Sequence, residues 1–140
     1  MYSYKYPRAA LTVDAIVYCS TAGQVQVLLI ERGAEPFKQK WALPGGFVEM
    51  QETLEQSCIR ELQEETGLEI EKMRQFKAYD AVNRDPRHRT ISVVFSAEVQ
   101  HPMPVKGGDD ACNAKWFPLD ELPELAFDHA QMLHDFFAQK

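Results

Sequence analysis

The chain is poor in cysteine: Cys19, Cys58 and Cys112 are odd in number, far apart and never in a Cys-x-x-Cys arrangement. Neither a disulfide framework nor a zinc site is indicated, and the three read as buried thiols. Long apolar runs are also lacking. No window approaches the roughly 18 residues that a spanning helix needs, and the first eight residues, Met-Tyr-Ser-Tyr-Lys-Tyr-Pro-Arg, contain no apolar stretch of a secretory signal. The expectation is a cytoplasmic protein without a membrane partner. Positive charge is in deficit, with 15 Lys and Arg against 21 Asp and Glu and a net charge of −6, which argues against a nucleic-acid partner. No repeat, low-complexity tract or linker interrupts the 140 residues, so residues 1–140 are read as one domain.

The residues present sort into strands and two helices. Leu11 to Cys19 and Val25 to Glu31 are rich in Val, Ile and Leu and flank a turn at 20–24, the pattern of two strands. Trp41-Ala42-Leu43 runs extended into Pro44-Gly45-Gly46, where the glycines permit backbone geometry that other residues resist. Thr53 with Gln56 three residues on is a capping-box signature, Leu54, Cys58, Ile59 and Leu62 form an apolar stripe, and Gly67 stops the helix. Lys72 to Val82 and Arg89 to Val99 are read as strands joined by 83–88, the second with Ile91, Val93 and Phe95 on one face. Ala114 to Phe117 reads as a further strand. A last helix follows Asp128, whose pairing with Gln131 repeats the capping pattern, with Leu133, Phe136 and Phe137 toward the core.

Charge is concentrated. Residues 45–71 hold eight acids and one base, Arg60, for a net −7, so the rest of the chain is close to neutral. On the first helix Glu61, Glu64 and Glu65 fall within roughly a 100° arc bordering the apolar stripe. Like charges at these spacings repel, and neither Glu61 nor Glu65 has a base four residues later. The arc is either a solvated acidic face or a seat for a cation. With neither His nor Cys among its members, a hard divalent ion such as Mg²⁺ suits it better than zinc.

The surrounding pattern decides between these. Gly46, five residues, Glu52, seven residues, then Arg60-Glu61-Leu62-Gln63-Glu64-Glu65-Thr66-Gly67-Leu68 resembles the Nudix box at every specified position. A chance match in a chain this long has a probability on the order of 10⁻⁸. The resemblance implies an α/β fold, the Nudix α/β/α sandwich around a central mixed β-sheet, and a pyrophosphohydrolase. It implies that Glu61, Glu64 and Glu65 bind Mg²⁺, with Mn²⁺ as a possible substitute, and that Glu61 and Glu64 take part in catalysis. The carbonyl of Gly45 or Gly46 would add an oxygen ligand, and Glu52 would be an accessory carboxylate. Arg60 would tie the box carboxylates together, and Gly67 would end the helix at positive φ.

Outside the box, Lys106-Gly107-Gly108-Asp109-Asp110 is a glycine-flanked acidic loop. It is either an ordinary turn or, by the resemblance, the source of a general base, assigned to Asp110. Arg32 stands where a phosphate-binding arginine often follows the second strand. Asn83-Arg84-Asp85-Pro86-Arg87 and Leu125-Ala126-Phe127-Asp128-His129-Ala130 are similar to segments of the ADP-ribose pyrophosphatase group. They point to ADP-ribose, cleaved to AMP and ribose 5-phosphate, with Arg32, Arg84 and Arg87 in substrate binding; a solvated hairpin tip is the other reading of the arginine loop. His129 reads as a structural residue at the helix start. Two further functions fit the box: sanitising hydrolysis of oxidised nucleoside triphosphates, and non-catalytic ADP-ribose sensing. The sensor role is disfavoured on the expectation that the chain leaves no room for a DNA-binding domain. A homodimer is expected by analogy only.

Overall fold

The computed structural model describes residues 3–108 and 111–139. Nine elements follow one another: β1 Ala10–Thr21, β2 Gln24–Arg32, β3 Trp41–Ala42, β4 Gly45–Phe47, α1 Leu54–Thr66, β5 Arg74–Tyr79, β6 Thr90–Val99, β7 Ala111–Pro118 and α2 His129–Ala138. The β1–β2 turn is tighter than the composition of 20–24 indicates. Only Ala22 and Gly23 lie outside the strands, both at positive φ, as a two-residue hairpin requires.

The strands form one mixed sheet in the order β3-β2-β1-β6-β5, with β4 added to β1 and β7 to β2. The parallel pair is β1 with β6, in register from Ala10↔Thr90 to Cys19↔Val99, and the other pairings are antiparallel. Strand β1 is apolar along most of its length because both its faces are covered. Val13, Ala15, Val17 and Cys19 pack with Cys58 and Leu62 of α1. Ile16 and Tyr18 point the opposite way, to Met132, Leu133 and Phe136 of α2. This is the α/β/α sandwich. Val93 and Phe95 join the α1 face as the alternation in β6 predicts.

Helix α1 begins and ends as its sequence requires. Thr53 Oγ1 accepts from the Gln56 N–H, Gln56 returns a bond to the Thr53 N–H, and Gly67 at φ 77° caps the last turn through its N–H to the Gln63 carbonyl. Helix α2 departs from expectation. Asp128 stands at its N-cap but makes no side-chain capping bond, because Arg84 occupies both carboxylate oxygens. Strand β5 is shorter than the span 72–82: its ladder stops at Tyr79↔Ser92. The chain then turns inward so that Asp85, buried, can accept from the Arg87 backbone and side chain. Among the described residues no helix is long and apolar enough to cross a membrane.

Candidate active site

Two adjoining clefts open beside the β1–β4 pairing and share Ile30, Arg32, Gly45, Glu65 and Arg87 in their walls. One wall is acidic. Helix α1 projects Glu61 and Glu65 toward β4, and Glu65 Oε1 accepts the Gly45 N–H at 2.8 Å. The glycines here serve by size rather than by φ, since neither has a positive φ. A Cβ on Gly46 would collide with the Glu61 carboxylate, and one on Gly45 with the Val13 carbonyl and the Asp14 carboxylate. Removing that carbon lets a charged oxygen lie directly against the backbone.

Arg60 is the counter-ion of this wall. Its Nε and Nη2 donate to the two oxygens of Glu52 at 2.6 and 2.9 Å, while Nη1 reaches Glu61 at 2.8 Å and Glu64 at 3.1 Å. The hydrogen bonds from Arg60, then one from Ser57, hold the Glu52 carboxyl down to about 2. The guanidinium is raised above its ordinary range chiefly by the same Glu52 contact. As arranged, no three His, Cys, Asp or Glu side chains among the described residues are gathered as a metal site. The donors are nonetheless all oxygen, which fits a hard divalent cation. Glu61 and Glu64 would have to turn from Arg60 to hold one.

The opposite wall is basic. Arg32, at the end of β2, donates from Nε to the Pro36 carbonyl at 2.7 Å. Arg87 forms a bidentate pair with Asp85, from Nε at 3.1 Å and Nη2 at 2.8 Å. Burial works to raise the Asp85 carboxyl, but the Arg87 bonds outweigh it and hold the group below its usual range. Arg84 also lines the cleft, with only 4% of its side chain exposed and its guanidinium forked onto Asp128. Arg84 and Asp85 are therefore folded inward, while Asn83, Pro86, Arg87 and His88 stay exposed. A direct contact from Arg84 to substrate would require opening a buried ion pair.

Beneath the cleft lies a pair that the sequence reading passed over or undervalued. Asp14 on β1 accepts from Ser92 Oγ and faces His129 Nε2 at 3.6 Å. His129 Nδ1 accepts the Leu43 N–H at 3.0 Å, so the ring proton is on Nε2. Burial keeps the imidazole below its ordinary range against the pull of Asp14 and Asp128. His129 is thus structural, as expected, but it structures the backbone leading into Gly45. A lone His and a lone Asp 115 positions apart leave no local pattern that would have paired them.

The structure brings Gly45, Glu61, Glu65, Arg32, Arg84 and Arg87 to the two clefts, while Glu52 and Glu64 are held beside them through Arg60. Asp109 and Asp110 lie outside the described residues. Their neighbours are placed: the Lys106 N–H donates to the Thr66 carbonyl, and Gly108 packs on the Glu64 carbonyl at the end of α1.

The NUDIX domain family matches residues 9–136 of the chain. The ADP-ribose pyrophosphatase of Methanocaldococcus jannaschii is 42% identical over 135 residues, which are 96% of this chain and 77% of that protein. The NUDIX domain of Shewanella oneidensis NrtR, in cocrystal with ADP ribose, superposes with a TM-score of 0.90 at 30% identity over 99% of this chain and 93% of that one. The chain spans 63% of NrtR as crystallised with a 27mer DNA. A bifunctional NMN adenylyltransferase/ADP ribose pyrophosphatase from Francisella tularensis, complexed with AMP and a Mn ion, superposes with a TM-score of 0.87 at 33% identity. That match covers 97% of this chain and 43% of the longer protein.

Proposed function

Because this chain belongs to the NUDIX family, we propose that it is a metal-dependent pyrophosphohydrolase that cleaves ADP-ribose to AMP and ribose 5-phosphate. The observation that carries the proposal is the cleft with two walls of opposite charge: Glu61 and Glu65 against the Gly45-Gly46 backbone on one side, Arg32 and Arg87 on the other. The arginine wall suits the anionic oxygens of a diphosphate. The acidic wall alone would repel them. Glu61, Glu64, Glu65 and the Gly45 carbonyl would hold Mg²⁺ or Mn²⁺, with Glu52 supporting from behind. A cation so held would neutralise phosphate charge and favour ionisation of the attacking water.

The chain's own groups supply the rest. Arg32 and Arg87 orient the diphosphate, Arg84 acts through Asp128, and the Asp14–His129–Leu43 chain fixes the approach to Gly45. The base is assigned to Asp110, a choice supported by the contact of the preceding loop with the end of α1. ADP-ribose as substrate is supported by the similarity to the archaeal pyrophosphatase and to the Francisella protein. Product analysis over ADP-ribose, dinucleotides, nucleotide sugars and oxidised triphosphates with Mg²⁺ or Mn²⁺ tests it. The highest kcat/KM is expected for ADP-ribose, with AMP as product. A higher value for an oxidised triphosphate would refute the substrate assignment.

The likeness to the NrtR domain supports a second reading, in which ADP-ribose is bound without turnover. Metal-dependent release of AMP would exclude it.

A further inference from the structure

Three described non-glycine residues beyond the β1–β2 turn hold a positive φ: Phe37 at 62°, Gln39 at 73° and Phe127 at 53°. All three surround Arg32. The Gln39 N–H donates to the Arg32 carbonyl, the Arg32 N–H to the Lys40 carbonyl, and the Phe37 and Phe127 rings meet edge to face at 4.8 Å. A bulky L-residue in this region is held there only where its surroundings over-determine it, and such positions concentrate at functional sites.

The side chain of Phe127 gives the strain a purpose. Its ring lines the cleft, with the Arg32 guanidinium carbon 5.0 Å from the centroid and that of Arg87 at 5.8 Å. Arg87 lies at the same 5.8 Å from the Phe47 ring on the other side of the mouth. Each arginine is therefore hydrogen-bonded to oxygen, of Pro36 or Asp85, and also lies over the Phe127 ring. A hydrogen bond and a ring contact together restrict a guanidinium more than either does alone. The residues on either side are committed elsewhere: the Ala126 N–H to the Trp41 carbonyl, Asp128 to Arg84, and His129 to Leu43. The left-handed turn at Phe127 is what allows one short segment to make all these contacts.

We infer that Phe127 is a positioning residue, whose ring sets the spacing and orientation at which Arg32 and Arg87 meet the diphosphate of the substrate. The inference rests on the proposal that those two arginines bind substrate. A plain apolar plug would be replaceable by leucine. A platform for two cations requires an aromatic face.

Steady-state kinetics with ADP-ribose on Phe127→Leu, Phe127→Tyr and Phe127→Gly, with Mn²⁺ binding followed by electron paramagnetic resonance, separate these. Leu is expected to raise KM by about 10-fold with a smaller change in kcat, and Tyr to restore KM to near the parent value. Gly, which relieves the backbone, should raise KM as Leu does without a lower Tm than Leu, and so replaces Leu if that variant folds poorly. Mn²⁺ affinity should be the same in all. In a background lacking both arginines, Arg32→Ala with Arg87→Ala, Phe127→Leu should add no more than about twofold. Equal KM for the Leu and Tyr variants, or a full additional effect in that background, would overturn the inference. Raised KM in Arg32→Ala and Arg87→Ala with a parental value in Phe127→Leu would overturn it alone. Parental KM in both arginine variants would remove the underlying binding proposal as well.

Discussion

At the scale of single residues, the box glutamates and Arg60 were legible because their spacing and charge are local. Gly46 was legible for the wrong reason, since its value is the missing Cβ beside Glu61 and not an unusual φ. Gly46→Ala should therefore act on Glu61, lowering kcat by about 100-fold or more while circular dichroism shows a retained fold. Glu61→Gln should match it within the same order. Parental turnover in either would remove Glu61 from the metal-binding assignment. His129 was readable only as a helix-start residue, because its partners Asp14 and Leu43 are distant in sequence. Its folded pKa is depressed from 6.5, so the unfolded chain takes the proton first. The stability contributed by the neutral ring is complete above about pH 6.5 and is lost as pH falls toward the depressed folded value. Thermal melts from pH 7.5 to 5 should decline more steeply for the parent than for His129→Asn. Equal slopes would show that another group controls that window.

Between elements, the two helix starts carry the same signature and behave differently. Thr53 and Gln56 complete a capping box from residues within one turn, whereas Asp128 is taken by Arg84, 44 positions away, in a bond no local pattern announces. The consequences for stability differ in size. Thr53→Ala should cost about 1 kcal/mol, the usual loss of a cap. Arg84→Ala leaves the Asp128 carboxylate without its partner in a half-buried place and should cost about 3 kcal/mol. Urea denaturation of both variants measures the order, and an Arg84→Ala loss no greater than that of Thr53→Ala would contradict the assignment of Arg84 to structure. The same inward fold explains why β5 ends earlier than its apolar pattern. Asp85 draws the chain away from the ladder toward Thr90 and Arg87, and a window of hydrophobicity does not register a buried carboxylate.

For the molecule as a whole, the sandwich was legible through the resemblance carried by the box, and β1, apolar along most of its length, is covered on both faces by helices with one apolar stripe each. Which residues share the cleft was only partly so: the box supplied the acidic wall, but the clasp of Phe127, Asp128 and His129 on β2, β3 and the arginine loop exists only in three dimensions. The guanidinium of Arg60 among Glu52, Glu61 and Glu64 bears on the order of events in the life of the protein. Carboxylates left to repel one another would make the native state wait for an ion. A tethered cation already in their midst removes that dependence, so the chain would reach its native form first, and the divalent ion proposed for this site would enter afterwards, by exchange of one positive charge for another. Chelation with EDTA should accordingly abolish turnover, with recovery on Mg²⁺ or Mn²⁺, yet shift the melting temperature by no more than about 2 °C. In Arg60→Gln the protein should instead lean on the ion, melting early without it and regaining the loss when it is supplied.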